Sequence, residues 1–134
     1  MLSDEQKKVA RMILEKEALK LGAFRLKLHE KNPDAPLSPF YFNLRGKENP
    51  KPGTLEEVDY DSAAQVMYAK IMAADAAFEA IAPIPNAGGP FARALMKLIA
   101  NDCRLIALEK IKVDGKRTIV PSPGFEYKKA RGFC

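Results

Sequence analysis

The first apolar positions of the chain recur with the period of a helix. Ser3, followed by Gln6 three residues later, has the pattern of a capping box that opens a helix. Gly22 is suited to end this helix, because glycine readily takes the left-handed conformation found at helix C-termini. The pattern therefore predicts a first helix from Ser3 to about Gly22. Its apolar stripe consists of Ala10, Ile13, Leu14, Ala18 and Leu21.

From Ala23 the period changes to two, which is typical of a strand with one buried face. A proline-rich connection then leads to a second alternating run. We predict that the two runs form antiparallel strands. In the first, Phe24, Leu26 and Leu28 oppose Arg25, Lys27 and His29, and in the second, Phe40, Phe42 and Leu44 oppose Tyr41, Asn43 and Arg45.

The rest of the chain predicts helices that alternate with strands. Asp61 is suited to cap a second helix that runs to about Phe78. Its predicted buried residues are Val66, Met67, Ala73, Ala74 and Ala77. A strand over Ala80–Ile84, a helix from about Pro90 to Ala100 and a strand over Arg104–Ile111 follow. The two strands are expected to be parallel, because a helix joins them.

The Asp114-Gly115 pair predicts a tight hairpin turn before a last strand over Arg117–Val120. The final residues, 121–134, show no clear period and are predicted to be irregular. Together these elements predict an α/β domain.

Composition is that of a soluble domain with its own core. The chain has 134 residues, of which 47% are hydrophobic and 29% charged. No apolar run approaches the roughly 18 residues of a membrane span, and the N-terminus lacks a signal-peptide core, so a cytoplasmic location is expected. Cys103 and Cys134 suggest neither a disulfide framework nor a zinc site. The net charge of +5 favours anionic partners, but RNA-binding patterns are absent.

Three groups of residues could carry chemistry, and each has a plain structural alternative. The turn Asn86–Gly89 before a helix could hold an anion on backbone N–H groups, or it could be an ordinary connection. The polar face of the two predicted strands could bind a flat anionic ring, or it could simply be a solvated surface. This face consists of Arg25, Lys27, His29, Tyr41, Asn43 and Arg45. A basic hairpin could close on phosphates, or only confer solubility; it contains Lys110, Lys112, Lys116 and Arg117.

The order of these features resembles the N-terminal part of orotate phosphoribosyltransferase. That family opens with a helix and a segment of the type GxFxLKSGxxSPxYF, and an apolar strand with a Gly/Pro-rich turn comes later. The matching residues here are Gly22, Phe24, Leu26, Lys27, Ser38, Pro39, Tyr41 and Phe42, and the resemblance covers roughly residues 10–118. It implies a partial phosphoribosyltransferase-like fold, with a hood over 1–58, a partial core over 59–120 and a tail over 121–134.

The resemblance also implies a reaction and its residues. Orotate would react with phosphoribosyl pyrophosphate (PRPP) and magnesium, in a homodimer. Lys27 would lie near orotate and pyrophosphate, and Tyr41 and Phe42 would line the orotate pocket. The turn with Asn86, Ala87, Gly88 and Gly89 would approach pyrophosphate. Lys110, with Lys112 beside it, would be a catalytic cation on a loop that crosses to the partner subunit.

Several positions depart from the family pattern. Ala87-Gly88 replaces a Tyr-Lys pair, and Glu109 stands where arginine is common. The signature that holds the ribose phosphate, a strand ending in two acids before a Thr/Gly-rich loop, is missing. We therefore expect a truncated and poorly active protein, which could be a fragment, a shortened gene product or a reduced domain. A non-catalytic, self-associating binding module with an anion site at Asn86–Gly89 remains the alternative.

Overall fold

The computed structural model of the chain describes residues 1–99 and 103–123. Within these residues the strands form three two-stranded sheets: β1 with β2 antiparallel, β3 with β4 parallel, and β5 with β6 antiparallel. The elements in chain order are α1 (Asp4–Glu15), β1 (Leu19–Phe24), α2 (Leu28–Lys31), β2 (Ser38–Phe42), α3 (Glu57–Ala73), β3 (Ala80–Ile81), α4 (Gly88–Leu98), β4 (Arg104–Leu105), β5 (Leu108–Val113) and β6 (Lys116–Pro121).

Helix α1 begins as predicted and ends early. The Gln6 N–H donates to Ser3 Oγ at 3.1 Å and the Ser3 N–H donates to Gln6 Oε1 at 2.9 Å, so the capping box is confirmed. The predicted end at Gly22 is wrong. Glu17 already has a left-handed backbone, with φ of 52°, and the Thr54 hydroxyl donates to the Lys16 carbonyl that the helix leaves unpaired. Strand pairing beyond this point outweighs the helical period of the sequence.

The antiparallel pairing of the first two strands is confirmed, but the first strand is misplaced. Strand β1 pairs Leu21 with Phe40, in a segment that the apolar period assigned to the helix. The predicted strand over residues 24–29 is wrong beyond Phe24, because the chain turns into the short helix α2. His29 is consequently buried within this turn instead of lying on a strand face.

Helix α3 begins earlier than predicted. Asp59 Oδ2 accepts from the Glu56 N–H at 2.8 Å, so the N-terminal cap forms there and not at Asp61. The predicted end at Phe78 is also wrong, since α3 stops at Ala73. The predicted apolar face is wrong as well, because the buried positions lie in the N-terminal half of α3, which packs against α4. Val66 is half-buried, and the remaining predicted core positions are exposed: Met67, Ala73, Ala74 and Ala77.

The predicted parallel pair is confirmed, with Ala80 opposite Arg104. Strand β3 is shorter than predicted, however. The strand predicted over Arg104–Ile111 is two strands, β4 and β5, separated by residues 106–107, which lead into the hairpin. Helix α4 contains Pro90 in its first turn as expected. Its predicted end at residue 100 and the tail from residue 124 lie outside the described residues.

The hairpin formed by β5 and β6 is confirmed at the predicted turn. Asp114 and Gly115 have positive φ values of 51° and 76°, as a two-residue hairpin of type I′ requires. The turn sets Val113 opposite Lys116. The cations at the tip are therefore fixed in register by the turn.

The core lies where α1 and α4 pack on the first half of α3. The rings of Tyr60 and Phe91 meet edge to face with centroids 4.8 Å apart. Among the described residues, no helix is long and apolar enough to cross a membrane. The buried cluster contains Met12, Ala18, Leu55, Tyr60, Ala64, Ala94 and Leu95.

Candidate ligand-binding clefts

A cleft of about 1000 Å³, here called the basic cleft, separates the turn before α2 from the tip of the β5–β6 hairpin. Strand β2 and the loop after it also contribute lining residues. The cleft brings together parts of the chain that are distant in sequence. Its lining residues are Arg25, Leu26, Lys27, His29, Glu30, Tyr41, Arg45, Lys51, Lys116 and Arg117.

His29 holds the turn that carries Lys27. The residue is only 5% exposed. The Leu26 N–H donates to Nδ1 at 2.8 Å, which assigns the ring proton to Nε2, 3.2 Å from the Pro36 carbonyl oxygen. Nδ1 also lies 3.1 Å from the Leu26 carbonyl oxygen, and we give priority to the shorter contact, whose donor is fixed. His29 is thus a structural residue that closes the loop from Leu26 to Pro36.

Arg45 is held in place by its neighbours. Its Nη1 donates to Tyr41 Oη at 3.0 Å and to Asn43 Oδ1 at 3.3 Å. The Tyr41 ring in turn packs on Phe24, with centroids 5.8 Å apart. A guanidinium has five N–H donors, so these two bonds leave further donors for a ligand. The position of Arg45 is therefore fixed before any ligand binds.

The charge of the basic cleft is strongly one-sided. Six of its lining residues are Lys or Arg, and Glu30 is the acid among them. In the part of the chain that the structure describes, none of the six lies in an ion pair with a carboxylate. Converging cations without counter-charges favour a ligand with several negative charges.

A second cleft of about 790 Å³, the turn cleft, lies beside the start of α4. Asn86 and Ala87 line it. No side chain caps α4, and its first turn contains no acid, so the positive end of the helix is uncompensated. The full lining is Gly46, Lys47, Glu48, Asn49, Pro50, Leu55, Glu56, Glu57, Tyr60, Asp61, Asn86, Ala87, Pro90, Arg93, Ala94 and Lys97.

Most carboxylates of the turn cleft are already paired. Lys97 donates to Glu57 at 2.9 Å and to Asp61 at 3.2 Å, and these hydrogen bonds raise the pKa of the Lys97 ammonium. Lys16 donates to Glu56 at 3.0 Å, which lowers the pKa of that carboxyl. The cleft is therefore close to neutral and is a weaker anion site than the basic cleft.

Tyr60 contributes a buried hydroxyl to the turn cleft. The residue is 6% exposed, and its Oη has no hydrogen-bond partner among the described residues. Burial raises the pKa of this hydroxyl, so it remains protonated at neutral pH. Gly46 covers it so closely that a Cβ there would lie 2.7 Å from Oη.

The structure divides the predicted site residues among separate places. Lys27 and Tyr41 line the basic cleft, whereas Asn86 and Ala87 line the turn cleft. Phe42 packs edge to face on Phe40, outside both linings. The other predicted residues also lie outside both: Gly88 and Gly89 in the first turn of α4, and Lys110 and Lys112 on β5, exposed.

The sequence places Lys110, Lys112, Lys116 and Arg117 in one basic hairpin, but it does not indicate which of these cations line the basic cleft. Lys116 and Arg117 follow the turn directly and line the cleft, as Lys51 does from the loop after β2. The Asp-Gly signal locates the hairpin tip in the sequence, but no local pattern states toward which surface the tip points. Lys51 has no distinguishing signal within its polar loop.

Comparison with known proteins adds a likeness in fold. No family model and no curated protein sequence matches the chain. The chain is similar to part of UMP synthase from Leishmania donovani, with 24% identity over 91% of this chain and a TM-score of 0.61. It also matches orotate phosphoribosyltransferase from Francisella tularensis, with 19% identity and a TM-score of 0.46. That match covers 68% of this chain and 39% of the Francisella chain.

The likeness settles the fold class. The chain covers 22% of the Leishmania protein, so it spans about a fifth of that protein's length. Its small sheets and flanking helices belong to a partial phosphoribosyltransferase-like α/β fold, as predicted.

Across residues 1–99 and 103–123, no group of three or more His, Cys, Asp or Glu side chains could hold a metal ion. The residues described therefore do not fit a metal site built by the protein alone.

Proposed function

We propose that this chain binds orotate and the phosphorylated ribose donor PRPP in the basic cleft, as a phosphoribosyltransferase-like domain of pyrimidine nucleotide synthesis. The main support is that Lys27 and Tyr41, two widely separated residues of the family motif, line one cleft with excess positive charge. The likeness in fold to a protein named UMP synthase, whose product is a pyrimidine nucleotide, supports the same assignment.

The chemistry of such a transfer suits a cationic cleft. A ring nitrogen of orotate forms a bond to the anomeric carbon of ribose and gives up its proton, which pyrophosphate can accept, while the bond from that carbon to pyrophosphate oxygen breaks. The electron pair leaves with pyrophosphate, so negative charge grows on the leaving group. Lys27 would stabilise this charge and Tyr41 would pack against orotate. The roles of Phe42, Lys110 and Lys112 stay predictions, because these residues lie outside the cleft.

Magnesium would bind together with the phosphorylated ligand and not to the protein alone. Magnesium in phosphate sites is typically held by one or two carboxylates together with substrate phosphates. Because the described residues offer no metal cluster of their own, pyrophosphate oxygens would supply most of its ligands.

Calorimetric titration with orotate, PRPP and pyrophosphate tests the binding proposal. We expect binding of each ligand, and K27A should weaken orotate binding by at least about tenfold, the effect of losing one charge-assisted hydrogen bond. K31A is the matched control, because Lys31 is exposed on the adjacent helix α2 outside the cleft. Absence of orotate binding to the unaltered chain would exclude the proposed substrate.

A turnover assay with orotate, PRPP and magnesium separates the enzyme from the alternative, a non-catalytic binding module. The uncapped start of α4 at Asn86–Gly89 favours this alternative as a plain anion site. Binding without turnover would establish the module. In that case the oligomeric state should be measured by sedimentation over a range of concentrations, because the family resemblance implies a homodimer.

A further inference from the structure

His29 closes a loop through contacts between both of its ring nitrogens and the main chain. It is the one histidine among the 134 residues of the chain. The Leu26 N–H donates to Nδ1 at 2.8 Å, and Nε2 lies 3.2 Å from the Pro36 carbonyl oxygen. Lys27, which lines the basic cleft, lies in the turn between Leu26 and His29. The His29 side chain therefore connects the main chain beside Lys27 to the end of the loop at Pro36.

The contact at Nδ1 requires a neutral ring. A neutral imidazole has one nitrogen that accepts a hydrogen bond, whereas the protonated ring has an N–H on both nitrogens and accepts none. Protonation would set the Nδ1–H and the Leu26 N–H, two donors, 2.8 Å apart. The Leu26 carbonyl oxygen, 3.1 Å from Nδ1, already accepts from the His29 main-chain N–H at 2.9 Å, and it cannot replace the acceptor that the Leu26 N–H loses. Protonation of His29 therefore breaks the hydrogen bond that holds the turn.

The charged groups around His29 act on its ring in both directions. Glu30, its neighbour in α2, favours a positive charge there, whereas the cations of the basic cleft oppose one. The loop that His29 closes also contains Lys31 and Asp34. Because both signs of charge are present, the hydrogen-bond geometry at Nδ1 decides which form of the ring the closed turn accepts. The groups that line the cleft together with His29 are Arg25, Lys27, Glu30, Tyr41, Arg45, Lys51, Lys116 and Arg117.

We propose that His29 is a pH-dependent positioning residue: its neutral ring holds Lys27 at the basic cleft, and its protonation releases the turn. Histidine is the side chain whose charge ordinarily changes between about pH 5 and pH 8. The closed turn excludes a proton from Nδ1 and the open turn accepts it. The open form therefore gains population as pH falls through this range, by up to about tenfold per pH unit. The inference rests on the proposed function in one respect only, that Lys27 contacts orotate.

Hydrogen exchange followed by ¹H–¹⁵N NMR tests the release of the turn. Because the chain has a single histidine, its ring signals are unambiguous, and they should change over the same pH range as the Leu26 amide. We expect the protection factor of that amide, relative to an unstructured peptide at the same pH, to fall at least about tenfold from about pH 7.5 to about pH 5. The Leu95 amide in α4 is the internal reference and should change by less than about twofold.

Two variants separate His29 from other titrating groups. H29N retains an oxygen that can accept from the Leu26 N–H but takes up no proton, so its Leu26 protection factor should be independent of pH. E30Q removes the one acid that lines the basic cleft among the described residues, and it should leave the pH dependence unchanged. The proposal would be overturned by a constant protection factor in the unaltered chain, by an unchanged pH dependence in H29N, or by its loss in E30Q.

Titration with orotate tests whether release of the turn withdraws Lys27. Orotate keeps its single negative charge across this pH range, so a change in affinity reports on the protein. We expect the unaltered chain to bind orotate at least about threefold more weakly at about pH 5 than at about pH 7.5, and H29N and K27A to show no such difference. A falling Leu26 protection factor with constant orotate affinity would overturn the positioning of Lys27 by His29. Absence of orotate binding at both pH values would exclude the proposed function, while the exchange measurement still decides whether His29 releases the turn.

Discussion

At the scale of single residues, Tyr60 carries a buried side-chain oxygen that has no hydrogen-bond partner in the described part of the molecule. Its ring supports the core against Phe91, but its hydroxyl is buried without a partner beneath Gly46. A buried donor that makes no hydrogen bond costs about 1–3 kcal/mol relative to a bonded one. The benefit of the ring and the cost of the hydroxyl can be separated by substitution.

We predict that Y60F raises the free energy of unfolding by about 1 kcal/mol, because it removes the unpaired hydroxyl and keeps the ring. Urea denaturation measures this change. G46A should destabilise the unaltered chain, because its Cβ would lie 2.7 Å from Oη, and should cost less in the Y60F background. Destabilisation by Y60F would show that the hydroxyl has a partner in solution.

His29 is a second buried polar residue, and its burial indicates a structural role. It joins Leu26 to Pro36 and so positions Lys27. We predict that H29A lowers the free energy of unfolding by about 1–3 kcal/mol through loss of buried hydrogen bonds. L28A serves as control, since Leu28 is 50% exposed and should cost much less in the same denaturation experiment.

At the scale of elements, an ion pair joins the end of α1 to the start of α3. Lys16 lies 3.0 Å from Glu56 and 3.6 Å from Asp59. Its hydrogen bond lowers the pKa of Glu56 below the usual 4.5, and Glu56 raises the pKa of Lys16 above 10.5. The stabilisation by this pair is therefore fully present between these two values, and it is lost as pH falls or rises beyond them.

We predict that the stability difference between the unaltered chain and E56Q shrinks as pH falls from about 5 to about 3. The unfolded state takes up a proton on Glu56 before the folded state does, so acid removes the contribution of the pair. Urea denaturation at a series of pH values, with E15Q on the exposed face of α1 as control, measures this difference. Parallel pH curves for the unaltered chain and E56Q would contradict the linkage.

Elements whose signals are local could be predicted from the sequence. The Ser3 capping box and the Asp114-Gly115 turn depend on residues within one turn of each other, and both are confirmed. The position of β1 could not be predicted, because its pairing with β2 decides the register and outweighs a helical apolar period. Likewise, the sequence identifies a basic hairpin but not which of its cations line the same cleft as Lys27.

Substitutions in the β5–β6 hairpin can test which of its cations contribute to ligand binding. Lys110 and Lys112 are the residues the family resemblance favours, yet Lys116 and Arg117 line the cleft. We predict that K116A/R117A weakens pyrophosphate binding at least about threefold more than K110A/K112A, because only the former pair is within reach of the ligand. Calorimetric titration of both variants decides between them, and a larger effect of K110A/K112A would support the family assignment.

At the scale of the whole molecule, positive charge is concentrated away from the core. The net charge is +5, and the basic cleft alone contributes six cations and one acid. The residues of the core, around α3, are not among those that line this cleft, and most charged side chains of α3 lie in ion pairs. Ligand binding and folding of the core should therefore respond differently to salt.

We predict that pyrophosphate at about a hundred times its Kd raises Tm by about 10 °C at low salt, through preferential binding to the folded state. Raising NaCl from about 0.05 M to about 0.5 M should remove most of this increase by screening the exposed cations, while changing the Tm of the free protein much less. Differential scanning fluorimetry measures both, with K116A/R117A expected to show little increase at either salt concentration. An increase that persists at high salt would mean that pyrophosphate is held mainly by buried backbone donors, and would point to the uncapped start of α4 in place of the basic cleft.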